Sequence, residues 1–172
     1  MHSIHPYSIR EATRADAPTI ARQRALMFRD MGSMPEALVE PLAGAGAREF
    51  DELVATGAYH GWLAEGGEGE GVVAGIGVLV RMVATRPLTK PSGEVVLVDR
   101  EGLVMNAYVT PSHRRRGLAR TLLGRVLAWT REEGLHRVIL HASSEGRALY
   151  EELGFVSSNE MRHRGLDGPM GS

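Results

Sequence analysis

Apolar residues recur along this chain with two different periods, and each change of period marks a new element. Tyr7–Glu11 reads as a short first strand. Thr13 stands in an N-cap position and Asp16 in the first helical turn. Ile20, Arg24, Met27 and Met31 follow helical spacing beside Ala17 and Ala21, so a helix is expected there until Gly32 and Pro35 break it. A second helical stretch runs from about Pro35 to Thr56, weakened in its middle by Gly44 and Gly46. Tyr59–Glu65 and Val72–Met82 read as strands joined through Gly66–Gly71 into a hairpin. Residues 84–93, with Pro87, Pro91 and Gly93, read as loop. Glu94–Val98 reads as a further strand, and Leu103–Val109 as one stopped by Pro111. The strongest helix spans Gly117–Glu133, with Leu118, Leu122, Leu123, Val126 and Trp129 on its apolar face and Gly134 behind it. Arg137–Ala142 reads as a strand and Glu145–Leu153 as a helix closed by Gly154. Phe155–Ser157 and Met161–Arg164 are expected to be final strands, and Gly165–Ser172 a frayed tail.

This mixture of strands and helices places the fold in the α/β or α+β class. The 172 residues suit one domain, 1–172, with its core in 6–164 and a tail at 165–172; no repeat or linker divides it. Hydrophobic residues at 43% and charged residues at 24% are those of a globular chain. The first residues lack the apolar core of a signal peptide, and the longest apolar run, Val72–Val80, is too short to span a membrane. A cytoplasmic protein with no membrane partner is therefore expected. The absence of cysteine excludes disulfides, thiolate catalysis, iron–sulfur clusters and cysteine-ligated zinc. No metal site is expected either, because the 7 histidines show no ligand spacing.

Net charge adds asymmetry to this picture. The chain totals −1, which argues against a dedicated nucleic-acid binder. Residues 1–110 hold 10 Lys+Arg against 14 Asp+Glu, whereas residues 111–172 hold 10 arginines against 7 acids. An acidic first part and a basic second part would suit a cationic ligand and a polyanionic one; the same pattern also arises from ordinary solvated faces. Lys90 is the single lysine beside 19 arginines, a ratio that reads as genomic base composition.

The basic excess gathers where the pattern is most informative. Val109-Thr110-Pro111-Ser112-His113-Arg114-Arg115-Arg116-Gly117-Leu118-Ala119-Arg120 leads from a strand through a basic loop into the long helix. A helix N-terminus presents unpaired N–H groups and the positive end of the dipole, a glycine admits close approach, and arginines add charge-assisted bonds, so the segment is suited to phosphate. It is neither a Walker loop nor a dinucleotide fingerprint, since neither glycine pattern occurs.

Arg114-Arg115-Arg116-Gly117-Leu118-Ala119 resembles the Arg/Gln-x-x-Gly-x-Gly/Ala signature of the GCN5-related N-acetyltransferases. Ala107-Tyr108-Val109-Thr110-Pro111 is similar to that family's fourth strand, and Leu149-Tyr150-Glu151-Glu152-Leu153-Gly154-Phe155 to its Leu-Tyr-x-x-x-Gly-Phe signature. The resemblance covers about residues 103–156. It implies a mixed, mostly antiparallel central sheet flanked by helices and splayed between the fourth and fifth strands. It also implies acetyl-CoA as cosubstrate, with the pyrophosphate on Arg114, Arg115, Arg116, Gly117, Leu118, Ala119 and Arg120. The pantetheine arm would pair with Ala107, Tyr108 and Val109 like an added strand. The Val109 N–H would polarise the thioester carbonyl, and Tyr150 would protonate the departing thiolate. Family members often form homodimers, and no stripe in this chain specifies one.

The chain departs from the family in three places. Ser143 and Gly146 stand where Asn and Ala are usual, and Ser143 retains a hydroxyl for pantetheine. Asn106 lies where a glutamate often serves as base, and an amide takes no proton at neutral pH. Asp30 and Glu160 are the favoured carboxylates for an acceptor amine, ahead of Asp99 and Glu101, with Asn106 beside them; each also reads as an ordinary surface carboxylate or core amide. His141 is a further candidate base, and Met27, Phe28, Met31 and Trp62 are candidates to wall a pocket. The expected activity is acetyl transfer to a primary amine of a small cationic acceptor, such as an aminoglycoside-type antibiotic, by direct attack in a ternary complex. The alternatives are a protein or peptide amine as acceptor, or a non-catalytic acyl-CoA sensor.

Overall fold

The apolar runs in Tyr59–Glu65 (β2) and Val72–Thr89 (β3) lie side by side in the middle of a five-stranded sheet of order β1-β2-β3-β4-β5. The computed structural model describes residues 7–161, and the chain divides into two compact units, 1–141 and 142–172. In the first unit, Ser8–Glu11 (β1) pairs antiparallel with β2, β2 with β3, and β3 with Val95–Val109 (β4); Val138–Leu140 (β5) is parallel to β4. The helices are Ala17–Asp30 (α1), Val39–Ala55 (α2) and Leu118–Glu132 (α3). This is the mixed, mostly antiparallel α/β architecture that the resemblance implies. Among the described residues no helix is long and apolar enough to cross a membrane.

Each helix buries the stripe its periodicity marks. Leu122, Leu123 and Val126 of α3 are essentially inaccessible, as are Leu63 and Val78 of the sheet. On another side Ala17, Ile20 and Ala21 of α1 cluster with Phe50 of α2 and Tyr59 of β2. Gly46 makes that cluster possible. A Cβ there would lie 3.1 Å from the Ala21 Cβ, so the glycine that weakens α2 as a sequence lets α1 approach it.

Several expectations about strands need correction. Residues 84–93 are not a loop: β3 continues to Thr89 and β4 begins at Val95, forming a two-stranded ribbon with Pro87 opposite Leu97. Pairing of β3 with β2 ends at Leu79, so the ribbon part of β3 has a strand on one side only and tolerates a residue without an N–H. Lys90 in its turn donates to Glu94 at 2.8 Å. Strand β5 is shorter than expected, three residues, and its pairing with β4 covers Gly102–Val104. Just before those rungs Glu101, 4% exposed, accepts from Arg81 Nε at 2.8 Å and Arg137 Nε at 2.6 Å, tying β3, β4 and the approach to β5 together.

The start of α1 carries a second network. Asp16 accepts from both Arg10 terminal nitrogens at 2.8 Å and reaches back to the Thr13 N–H at 2.8 Å. The Arg10 bonds, opposed by burial and aided by Thr13, hold its carboxyl down at about 2. In the unfolded chain it returns to about 4, so its contribution is complete above that pH and is lost as pH falls from about 4 towards 2. Asp16→Asn is expected to cost about 2 kcal/mol at pH 7 and to flatten the acid limb of stability in urea titrations; an unchanged limb would discount the network.

The described part of the second unit contains one helix, Arg147–Glu152 (α4). Phe155–Ser157 is not a strand, because its two apolar residues run directly into turn-forming Ser157-Ser158-Asn159, and Val156 is 88% exposed. Met161 is likewise outside any strand, and residues 162–164 lie outside the described residues.

Candidate functional site

Strand β4 carries an irregularity in the middle of its pairing with β3. Gly75 faces Tyr108 and Gly77 faces Met105, so Asn106 and Ala107 together oppose Ile76 alone. This is a β-bulge, and Asn106 takes the left-handed conformation, φ 59°, that asparagine accepts better than most residues. The Asn106 side chain is buried. Its Oδ1 accepts from Arg24 Nη1 at 2.7 Å, and its Nδ2 donates to the Tyr59 hydroxyl at 3.2 Å. Burial, partly opposed by the Asn106 bond, pushes the Tyr59 hydroxyl up to about 12, so it remains protonated.

Beyond the bulge the sheet splays. The last β4–β5 pair is Val104 with Leu140, and β4 runs on through Met105–Val109 with no strand on that edge among the described residues. Alternate backbone N–H and C=O groups of such an edge are available to an extended ligand.

The edge leads straight into the basic loop. Pro111–His113 forms one 3-10 turn, then Arg115 (φ 64°) and Gly117 (φ 81°) turn left-handed before α3. A Cβ on Gly117 would meet no protein atom within 4 Å, so conformation rather than space calls for glycine there. The first rung of α3 runs from the Thr121 N–H to the Gly117 carbonyl at 3.0 Å, leaving the Leu118 and Ala119 N–H groups ahead of the ladder. Thr110 Oγ1, buried beside the loop, has no hydrogen-bond partner among the described residues.

Several loop arginines are positioned by other side chains. Arg114 donates to the Val109 carbonyl at 3.0 Å and to Asp30. Arg116 donates to the Tyr7 hydroxyl at 3.3 Å, which lies 3.0 Å from His113 Nδ1; His113 Nε2 faces Glu70 at 3.5 Å. Arg115 and Arg120 are exposed. An open strand edge, a helix start behind two left-handed residues and exposed guanidinium groups fit an acyl donor with a pantetheine arm and a pyrophosphate.

The structure thus gathers Ala107, Tyr108, Val109, Asn106, Asp30 and Arg114 at one end of β4. Asp30 is bound to Arg29 as well as Arg114. Partial burial pushes its carboxyl up, but the two guanidinium groups outweigh this and hold it below the usual range. Asp99 and Glu101 lie within β4 rather than ahead of it, and Glu101 is committed to Arg81 and Arg137. Met27 and Phe28 are half-buried on α1, while Met31 is exposed. Trp62 packs edge-on against Trp129 and lines a cavity of about 210 Å³ with Glu11, Val54 and His60. His141 is exposed.

The remaining candidates belong to the second unit. Ser143 Oγ accepts the Gly146 N–H at 3.2 Å, and exposed Glu160 bonds through its N–H to Ser158 Oγ. Tyr150 is half-buried, and burial raises its hydroxyl above the usual tyrosine value. A Cβ on Gly146 would come within 2.6 Å of the Tyr150 ring, so the departure from alanine at this position makes room for the tyrosine.

Sequence reasoning missed Arg24 and Tyr59 as polar residues of the β4 bulge. The signal for Arg24 was present: a charged side chain stands at an apolar position of the α1 stripe.

Residues 31–155 match the Acetyltransferase (GNAT) family. A GCN5-related N-acetyltransferase from Ralstonia eutropha superposes with a TM-score of 0.76 at 31% identity, covering 91% of this chain and 97% of that one. A protein from Clostridium acetobutylicum described as a predicted acetyltransferase, solved with acetyl-CoA, gives 0.75 at 24% identity over 93% and 96% of the two chains. An aminoglycoside N-acetyltransferase solved with CoA shares the fold at 0.62 and 16% identity over 92% and 95%. The human protein N-acetyltransferase 8 is 29% identical over 85 residues, 48% of this chain. That match spans only 36% of the human protein's length.

Proposed function

Because the chain belongs to the GNAT family of acetyltransferases, we propose that it moves an acetyl group from acetyl-CoA, its cosubstrate, to a primary amine of a small-molecule acceptor by direct attack in a ternary complex. The observation that carries this reading is the Met105–Val109 edge, with no strand beside it among the described residues, leading through the basic loop to the Gly117–Leu118 helix start. The open backbone of Ala107–Val109 binds the pantetheine arm. The Leu118 and Ala119 N–H groups with Arg115, Arg116 and Arg120 meet the pyrophosphate. The Val109 N–H stabilises the charge that builds on the thioester oxygen. As the amine nitrogen bonds to the carbonyl carbon and the C–S bond breaks, the Tyr150 hydroxyl gives its proton to sulfur; the proton that the nitrogen sheds on becoming an amide passes to solvent, which reprotonates Tyr150. The amine must arrive unprotonated. Asn106 is an amide and Asp30 is held by two arginines, so neither serves as the base, and the amine loses its proton to another group or through ordered water.

The acidic first part of the chain and the fold shared with an aminoglycoside enzyme support a cationic acceptor. The pairing of Asp30 counts against it. Release of CoA thiol from acetyl-CoA over aminoglycosides, polyamines, amino acids and short peptides tests the proposal. Turnover of one small-molecule class is expected. Turnover of peptides alone favours a protein acceptor, acetyl-CoA binding without any turnover favours the sensor, and no binding overturns the reading of the loop.

A further inference from the structure

We propose that Arg24 is the anion-binding residue of the acceptor site, and that the acceptor is a small amine bearing a carboxylate beside its amino group, as an amino acid does. The inference rests on the acetyl-transfer reading of the β4 edge and specifies its substrate.

Arg24 stands where the α1 stripe calls for an apolar residue, so its guanidinium is drawn in among Asn106, Phe28 and the bulge of β4. One N–H is used, to Asn106 Oδ1 at 2.7 Å, and the cation lies over the Phe28 ring at 4.8 Å. A guanidinium has five N–H donors. Among the described residues no carboxylate lies within ion-pair distance of Arg24; Glu49 of α2 acts on it only at longer range. Its neighbours differ. Arg29 is paired with Asp30 and Glu36, and Arg114 with Asp30. The middle of α1, where it packs along β4, thus holds a half-buried cation with no ion-pair partner among the described residues. Half-burying a charge without an ion-pair partner carries a desolvation cost that a bound anion offsets.

A carboxylate matches the guanidinium fork with two parallel hydrogen bonds. Its position also suits the reaction. Asn106, which holds Arg24, immediately precedes Ala107–Val109, so an anion fixed at Arg24 brings an amine one or two bonds away towards the strand edge assigned to the acyl donor. A polycation would meet Arg24, Arg29 and Arg114 with Asp30 already engaged.

The test uses the full-length protein with acetyl-CoA and three matched panels: the proteinogenic amino acids, their primary amides, and the corresponding decarboxylated amines. At least one amino acid is expected to be acetylated with kcat/KM about 30-fold above its amide, the worth of a charge-assisted bond. Arg24→Gln should raise KM for that acid about 30-fold with kcat and acetyl-CoA Kd little changed, and should erase its advantage over the amide; Arg24→Lys should restore part of it. Equal use of acids and amides, turnover of other amines but no acid, or an equal loss for acid and amide in Arg24→Gln would overturn the inference while leaving acetyl transfer standing. Loss of acetyl-CoA binding in the wild-type protein would instead remove the acetyl-transfer reading beneath it. Should Arg24→Gln fail to fold, the wild-type acid-to-amide ratio and Arg24→Lys still decide.

Discussion

Tyr150→Phe is expected to lower kcat about 100-fold while leaving the acetyl-CoA Kd within about twofold, the signature of a lost proton donor rather than a lost binding contact. Burial lifts the Tyr150 hydroxyl above its ordinary value, so the ring stays protonated through neutral and mildly alkaline pH. That is the state an acid needs when a thiolate departs. The activity of the wild-type protein should therefore show no alkaline decline from this group across the range in which an ordinary tyrosine stays protonated, and any rise with pH there reports the acceptor amine losing its proton. Phenylalanine keeps the ring that fits over Gly146 and meets Phe155 edge-on at 6.1 Å, so the variant removes the oxygen and little else. Single-turnover kinetics on the two proteins measure the effect. Equal rates would assign the proton to water and reduce Tyr150 to a packing residue.

Gly77→Ala is expected to destabilise the fold by about 3 kcal/mol, near the upper end for overpacking. A Cβ at this position of β3 would lie 2.0 Å from the Tyr59 hydroxyl oxygen and 2.1 Å from Cζ. Tyr59 cannot swing aside. It is 2% exposed, packs edge-on against Phe50 at 5.0 Å, and is tied through its hydroxyl to Asn106. The strain thus passes from β3 into the bulge and to Arg24, and acceptor turnover should fall with stability. Gly124 offers the opposite sign. It lies exposed in α3, and a methyl group there would have no neighbour within 4 Å, so Gly124→Ala should stabilise by about 1 kcal/mol. Urea unfolding midpoints at constant m-value measure both. A Gly77→Ala protein as stable as wild type would contradict the packing of Tyr59.

The parts of the fold that were legible are those where one local rule suffices. The α3 stripe needs only a period, and the loop before it needs only basic residues, a glycine and a strand end. The ribbon was not legible, because Pro87 breaks strands by local rule and is tolerated here only through the missing neighbour on one side of β3, while Gly93, at φ 87°, stands in the ribbon's turn and not in a strand. Asn106 was read as an absent glutamate. Its buried bonds to Arg24 and Tyr59 join residues 82 and 47 positions apart, a distance no periodicity spans. The bond between Asp30 and Arg114 joins residues 84 positions apart, so the partner of that carboxylate was not legible either. Within the second unit, Gly146 looked like a lost alanine until the Tyr150 ring was found lying against it.

The turn of the ribbon has one more consequence. Lys90 is the only lysine side chain in the sequence, and its ammonium is held by Glu94. Guanidinium groups do not accept acyl groups from thioesters under mild conditions, and a protonated, ion-paired amine is a poor nucleophile. A protein that handles an acylating reagent therefore carries nearly all of its positive charge in a chemically inert form, and its surface charge should survive prolonged exposure to acetyl-CoA without self-modification.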